Sequence, residues 1–137
     1  MAALTQARNT PKRDGRTREF GVKGATKIWQ GSMVALDSSG RAVPFSVSTT
    51  LKGVGRAELT ADNSAGADNA IRAKVLSDTF RFNNSAAGDL ITTADIGSDC
   101  YGVDDQTVAK TNGTNTRSVA GKIYDVDALG VWVKFTA

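Results

Sequence analysis

The chain has 137 residues, 40% hydrophobic and 23% charged, a composition ordinary for one globular domain with its own core. It holds one cysteine and no histidine. That excludes an internal disulfide, a four-cysteine zinc site, and serine–histidine or cysteine–histidine nucleophile pairs within one chain. The net charge of +3 is unevenly placed: residues 1–27 carry seven Lys/Arg against two Asp/Glu, and residues 28–137 carry ten against twelve.

The N-terminal stretch MAALTQARNTPKRDGRTREF has no apolar core, so it does not read as a secretory signal. Low hydrophobicity, Pro11, Gly15, Gly21 and Gly24 make residues 1–26 an extended basic arm rather than a folded unit. Its cations Arg8, Lys12, Arg13, Arg16, Arg18 and Lys23 are candidate contacts to an acidic neighbour.

Residues 27–137 read as a β-rich domain. KIWQGSMVALD is followed by the turn SSGR, then by RAVPFSV, whose Pro44 suits an edge strand or a bulge. LKGVGRAEL alternates, with Leu51, Gly53, Gly55, Ala57 and Leu59 on one face. AIRAKVL and TFRFN alternate more clearly. Thr92 or Thr93 caps one short helical turn through TTADIG, ended by Gly97. RSVAGKIYDVD and GVWVKFTA, separated by ALG, predict a terminal hairpin with Val131, Val133 and Phe135 on its inner face. Short strands at roughly ten-residue intervals predict an all-β fold, a small β-barrel or β-sandwich. No internal repeat is evident. The expected core is Ile28, Val34, Leu36, Leu59, Ile71, Val75, Phe80, Phe82, Ile91, Val103, Ile123, Val131, Val133 and Phe135.

Candidate chemistry is thin. Cys100 stands beside Tyr101 with no neighbouring His, Lys or Arg to stabilise a thiolate, so it reads as a small buried hydrophobe. Asp104 and Asp105 are adjacent and would point to opposite faces of a strand. DDQTVAKTNG lacks the alternating oxygen ligands of a calcium loop and reads as a turn. No catalytic residue, cofactor or metal is expected. No run approaches the roughly 20 apolar residues of a membrane-spanning helix, so no membrane partner is expected either. Trp29 and Trp132 are candidate oligomer or partner contacts, because large aromatics concentrate binding energy; ordinary core positions are the alternative.

The segments IWQGSMVALDSSGRAVP, GVGRAE, NSAGAD, ADIGSDCYGVDDQTVAKT and RSVAGKIYDVDALGVWV occur in this order within residues 27–135. Their order and spacing resemble the head decoration, or capsid cement, proteins of tailed bacteriophages, in particular those of Mu-like phages. The resemblance implies a small β-rich virion protein on the outer face of the capsid. Its partners would be the major capsid protein and further copies of itself, as a trimer. The arm is longer and more basic than the start the resemblance implies. Two other functions stay open. One is a nucleic-acid-binding module acting through the arm, for which only Phe20 and Trp29 lie near for base stacking. The other is a tail-associated binding or adhesion module.

Overall fold

The computed structural model describes residues 2–13 and 15–137. Residues 2–13 are exposed and form no strand or helix. The rest is all-β. Its strands are β1 (Thr17–Gly21), β2 (Thr26–Ile28), β3 (Met33–Leu36), β4 (Ala42–Pro44), β5 (Lys52–Ala57), β6 (Ala61–Asn63), β7 (Arg72–Leu76), β8 (Thr79–Phe82), β9 (Asp99–Gly102), β10 (Val108–Ala109), β11 (Val119–Asp127) and β12 (Gly130–Lys134). Helix among the described residues is limited to two 3-10 turns, Ala87–Asp89 and Thr93–Asp95, one more than expected. At the second, the Thr92 N–H donates to Asp95 Oδ2 over 2.8 Å, and Gly97 follows with φ +93°.

The strands form two five-stranded antiparallel sheets, β1-β7-β5-β3-β4 and β10-β9-β11-β12-β8, and a β2-β6 ribbon. Pro44 lies on an edge strand, where its missing N–H costs no central ladder bond. β11 and β12 form the expected hairpin, with Asp127 opposite Gly130.

The two sheets have one topology. Read from the β1 and β8 edges, their orders are β1-β7-β5-β3-β4 and β8-β12-β11-β9-β10. The correspondence extends to single hydrogen bonds. Asp37 N–H donates to Arg41 O, and Val103 N–H, 66 positions on, donates to Thr107 O. Gly31 N–H donates to Ala57 O, and Gly97 N–H to Ile123 O. In the first sheet Met33, Val34 and Ala35 pair with Arg56, Gly55 and Gly53 across a bulge. In the second, Asp99, Cys100 and Tyr101 pair with Lys122, Gly121 and Val119 across the same bulge. The outer strands match too: Thr17 pairs with Leu76, and Thr79 with Lys134. In both sheets the edge strands approach one another, through the parallel bridges Val22–Ala42 and Asn83–Thr107. The chain is thus a tandem structural repeat, which the sequence reading did not find.

Each half has its own apolar cluster at matching positions. Val34, Ala42, Val54, Ala57, Ala73 and Val75 fill the first. Cys100, Val108, Ala120, Ile123, Val131 and Val133 take their places in the second. The β2-β6 ribbon adds Ile28 and Ala61 to the first cluster. The second is completed by Met33, Ala35 and Phe45 of the first half. The halves meet closely: a Cβ on Gly53 would stand 2.2 Å from the Ala120 carbonyl oxygen.

Two expectations need correction. Leu59 is 61% exposed, because the chain leaves β5 at Ala57 before the alternation reaches it. The boundary expected between residues 26 and 27 falls inside β2. β1 is paired with β7 along its length and Val22 is fully buried, so both belong to the body.

Candidate interaction surfaces

The six cations expected on one arm fall into two groups. Arg8, Lys12 and Arg13 are exposed in the segment without secondary structure. Arg16, Arg18 and Lys23 are built into the body. The Arg16 carbonyl accepts from Ser77 N–H, and its side chain lies 3.9 Å from Asp78. Arg18 lies on β1, with its guanidinium carbon 5.1 Å from the Phe20 ring centroid and Nη2 donating to the Ala137 carbonyl. Lys23 donates its backbone N–H to Ala42 O.

Neither tryptophan belongs to a core cluster. Trp29 is 58% exposed and stands just past the end of β2. Lys27 Nζ lies 3.8 Å from its ring centroid and 3.8 Å from Asp62 Oδ2. Trp132 is half-buried, facing away from Val131 and Val133. Its indole N–H donates to Asp127 Oδ2 over 2.8 Å, and the Arg81 guanidinium carbon is 5.6 Å from its ring centroid. The indole hydrogen bond, followed by the Leu129 N–H, holds the Asp127 carboxyl below its ordinary pKa.

The stretch from Asp95 to Val119 carries β9, β10 and the turns around them. Cys100 is fully buried, and its thiol donates to Gly121 O over 3.5 Å. Burial pushes the thiol pKa up to about 12, which removes thiolate chemistry at neutral pH. Asp104 and Asp105 lie in the turn between β9 and β10; Asp104 accepts from Gln106 N–H, and Asp105 accepts from the Ser32 hydroxyl over 3.3 Å. No group of three or more His, Cys, Asp or Glu among the described residues could hold a metal ion.

Two open grooves flank this stretch. One, of about 600 Å³, runs between Leu51–Gly53 and Val119–Lys122. The other, of about 500 Å³, has an apolar floor including Val43, Pro44 and Leu51, and its walls carry Asp37, Asp104, Asp105 and Lys23.

Of the large apolar side chains left in water, Trp29 was a candidate contact from sequence and the others were not. Besides Trp29 and Leu59, they include Ile96 at 46% and Tyr124 at 62% exposure. The repeat would have pointed to these four, which stand next to the Gly31–Ala57 or the Gly97–Ile123 hydrogen bond or two residues from it, but not to Leu4, Val47, Leu90, Val119 and Leu129, which are exposed elsewhere. No protein-family model, curated protein or solved structure matches this chain.

Proposed function

We propose that the chain is a structural virion protein that binds the outer surface of an assembled phage capsid as a trimer and stabilises it without catalysis. The observation that carries this reading is the ordered set of segments, from IWQGSMVALDSSGRAVP to RSVAGKIYDVDALGVWV, that resembles the decoration proteins of Mu-like phages. In finer terms we read the fold as a β-sandwich of two curled halves.

The physical requirements of the task suit these residues. A protein that binds only the assembled shell stabilises that state by mass action, by RT ln(1 + [L]/Kd) per site. It needs a rigid body and exposed contact groups. The first is supplied by two apolar clusters locked together through Phe45, and the second by Trp29 with the basic residues Arg8, Lys12 and Arg13. The reaching segment is shorter than the sequence suggests. Residues 2–13 span at most about 40 Å when extended, at roughly 3.3 Å per residue. Exposed ion pairs contribute about 0–1 kcal/mol each. Three cations therefore assist docking and do not dominate it, and added salt weakens their part.

The test is binding to empty shells by co-sedimentation, followed by heating of the decorated and bare shells. Saturable binding and a raised disruption temperature are expected. Absence of binding, with salt-sensitive retention on DNA instead, would favour the nucleic-acid module.

A further inference from the structure

Antiparallel pairing leaves alternate backbone groups of an edge strand pointing away from its sheet. Among the described residues, β1 is hydrogen-bonded to β7 and to no other strand. Arg16 O accepts from Ser77 N–H, and Val22 N–H donates to Ile71 O. Those two bonds fix the phase of the ladder. Arg18 and Phe20 turn their N–H and C=O groups toward β7, and Thr17 and Glu19 turn theirs outward. The edge is closed at its far end, where Val22 bridges Ala42 at the start of β4.

The second half shows the same edge capped. Phe135 N–H donates to Asp78 O as Ser77 N–H does to Arg16 O, so Thr79 stands where the first half has Thr17. The Asp78 carboxylate accepts the Thr79 N–H over 2.9 Å. Arg16 occupies the place of Asp78 and brings no carboxylate to Thr17. Among the described residues nothing accepts from the N–H of Thr17 or of Glu19. The Glu19 carbonyl accepts from Arg72 Nη2 over 2.8 Å, which sets that guanidinium at the open edge.

A groove of about 470 Å³ runs along this edge, lined by Arg13, Thr17, Arg18, Glu19, Arg72 and Lys74. Arg18 already donates to the Ala137 carbonyl. Arg13, Arg72 and Lys74 are paired with no carboxylate among the described residues. Glu19, opposite Lys74, is the one acid among the lining residues, so cations remain in excess. The exposed Arg8 and Lys12 extend that excess along the neighbouring segment. An anionic partner matches the charge, and the open backbone groups select its kind. An extended peptide presents carbonyls and N–H groups at the spacing of a strand edge. A single-stranded nucleic acid asks for an aromatic platform instead, and Phe20, the aromatic of this strand, packs against the first cluster.

We infer that the open edge of β1 takes an extended acidic segment of another protein as an added strand, with Arg13, Arg72 and Lys74 meeting its carboxylates. Backbone bonds hold such a strand, and the charges select it. The contact requires neither a capsid nor a trimer.

Hydrogen exchange and fluorescence anisotropy of the full chain test it, with a labelled peptide of about ten residues alternating Glu and Val as the probe. In the chain alone, the Thr17 and Glu19 amides are expected to exchange freely while those of Arg18 and Phe20 are protected. The peptide is expected to bind saturably below about 1 mM and to slow exchange at Thr17 and Glu19. Replacing each valine of the peptide by proline keeps its charge and breaks its ladder, and is expected to weaken binding at least about tenfold. The Arg72→Ser/Lys74→Ser chain, shown to be folded by circular dichroism, is expected to lose about as much. Absence of binding at about 1 mM, equal binding of the proline peptide, or binding that leaves the Thr17 and Glu19 amides exchanging freely would each overturn the inference. So would tighter binding of a thymidine oligonucleotide of equal charge. Protection of these amides that grows with concentration in the chain alone would give the edge to a second copy and overturn it too. Shell binding is a separate measurement, and none of these outcomes decides it.

Discussion

The Arg56 guanidinium carbon lies 4.3 Å from the centroid of the Phe80 ring, and this contact ties the first sheet to the edge strand of the second. The Arg56 side chain is 36% exposed and also pairs with Glu58, so its attraction to the ring is partly screened. A half-exposed cation–π pair contributes about 0.5–1 kcal/mol. A double-mutant cycle of Arg56→Ala and Phe80→Leu in urea is expected to show coupling of that size. Additive effects would mean that the two side chains do not cooperate across the halves.

Gly102 marks the tightest packing between the halves. A Cβ there would stand 2.1 Å from two carbons of the Phe45 ring, and Phe45 is 2% exposed. Gly102→Ala is expected to destabilise the protein by about 1–3 kcal/mol, the usual range for overpacking. Replacing Phe45 with Leu in the same chain should recover part of that loss. Equal costs with Phe45 and with Leu would show that the ring does not set the constraint.

Asp127 links the terminal hairpin to Trp132. Its carboxylate accepts from the Leu129 and Gly130 N–H groups and from the Trp132 indole, so its folded pKa lies below the ordinary 3.8. The sign follows directly. A depressed acid stabilises the fold above its unfolded pKa, and that contribution disappears as pH falls through the folded pKa. The indole N–H resonance of Trp132 should shift on acidification with a midpoint below 3.8. It should lose its pH response in Asp127→Asn. A midpoint at or above 3.8 would contradict the hydrogen-bonded arrangement.

Cys100 should resist thiol reagents while the protein is folded. Its side chain has no exposed surface, and burial raises its pKa to about 12. Labelling by a water-soluble maleimide at neutral pH is expected only at the rate of unfolding, and at full speed in denaturant. Rapid labelling of folded protein would mean that this part of the second core opens readily.

Much of the strand pattern was legible because the sheets are half-buried and side chains alternate between faces. Val131, Val133 and Phe135 are buried while Lys134 is exposed, as their spacing predicts. The hairpin at Asp127–Gly130 follows from residues that tolerate turn geometry. The tandem repeat was not legible, for a physical reason. Interior positions ask only for apolar volume, so Ala57 and Ile123, or Val54 and Ala120, serve the same place in the two clusters. Positions demanding one residue type are few: Gly31 and Gly97, with φ +88° and +93°, and the bulge glycines Gly55 and Gly121. Two glycine pairs with Ser32 and Ser98 between them are too little for sequence comparison to detect. β1 was hidden by its own charges. Arg18 and Glu19 made residues 17–21 resemble the polar segment before them, although Phe20 packs against the first cluster.

The central claim, decoration of a capsid, is tested most directly by electron cryo-microscopy of particles produced with and without this chain. The account predicts density for the all-β body on the outer face of the shell at threefold positions, missing from particles made without the chain, and a lower disruption temperature for those particles. Particles whose outer surface and heat resistance are the same in both preparations, or density confined to the tail, would contradict it.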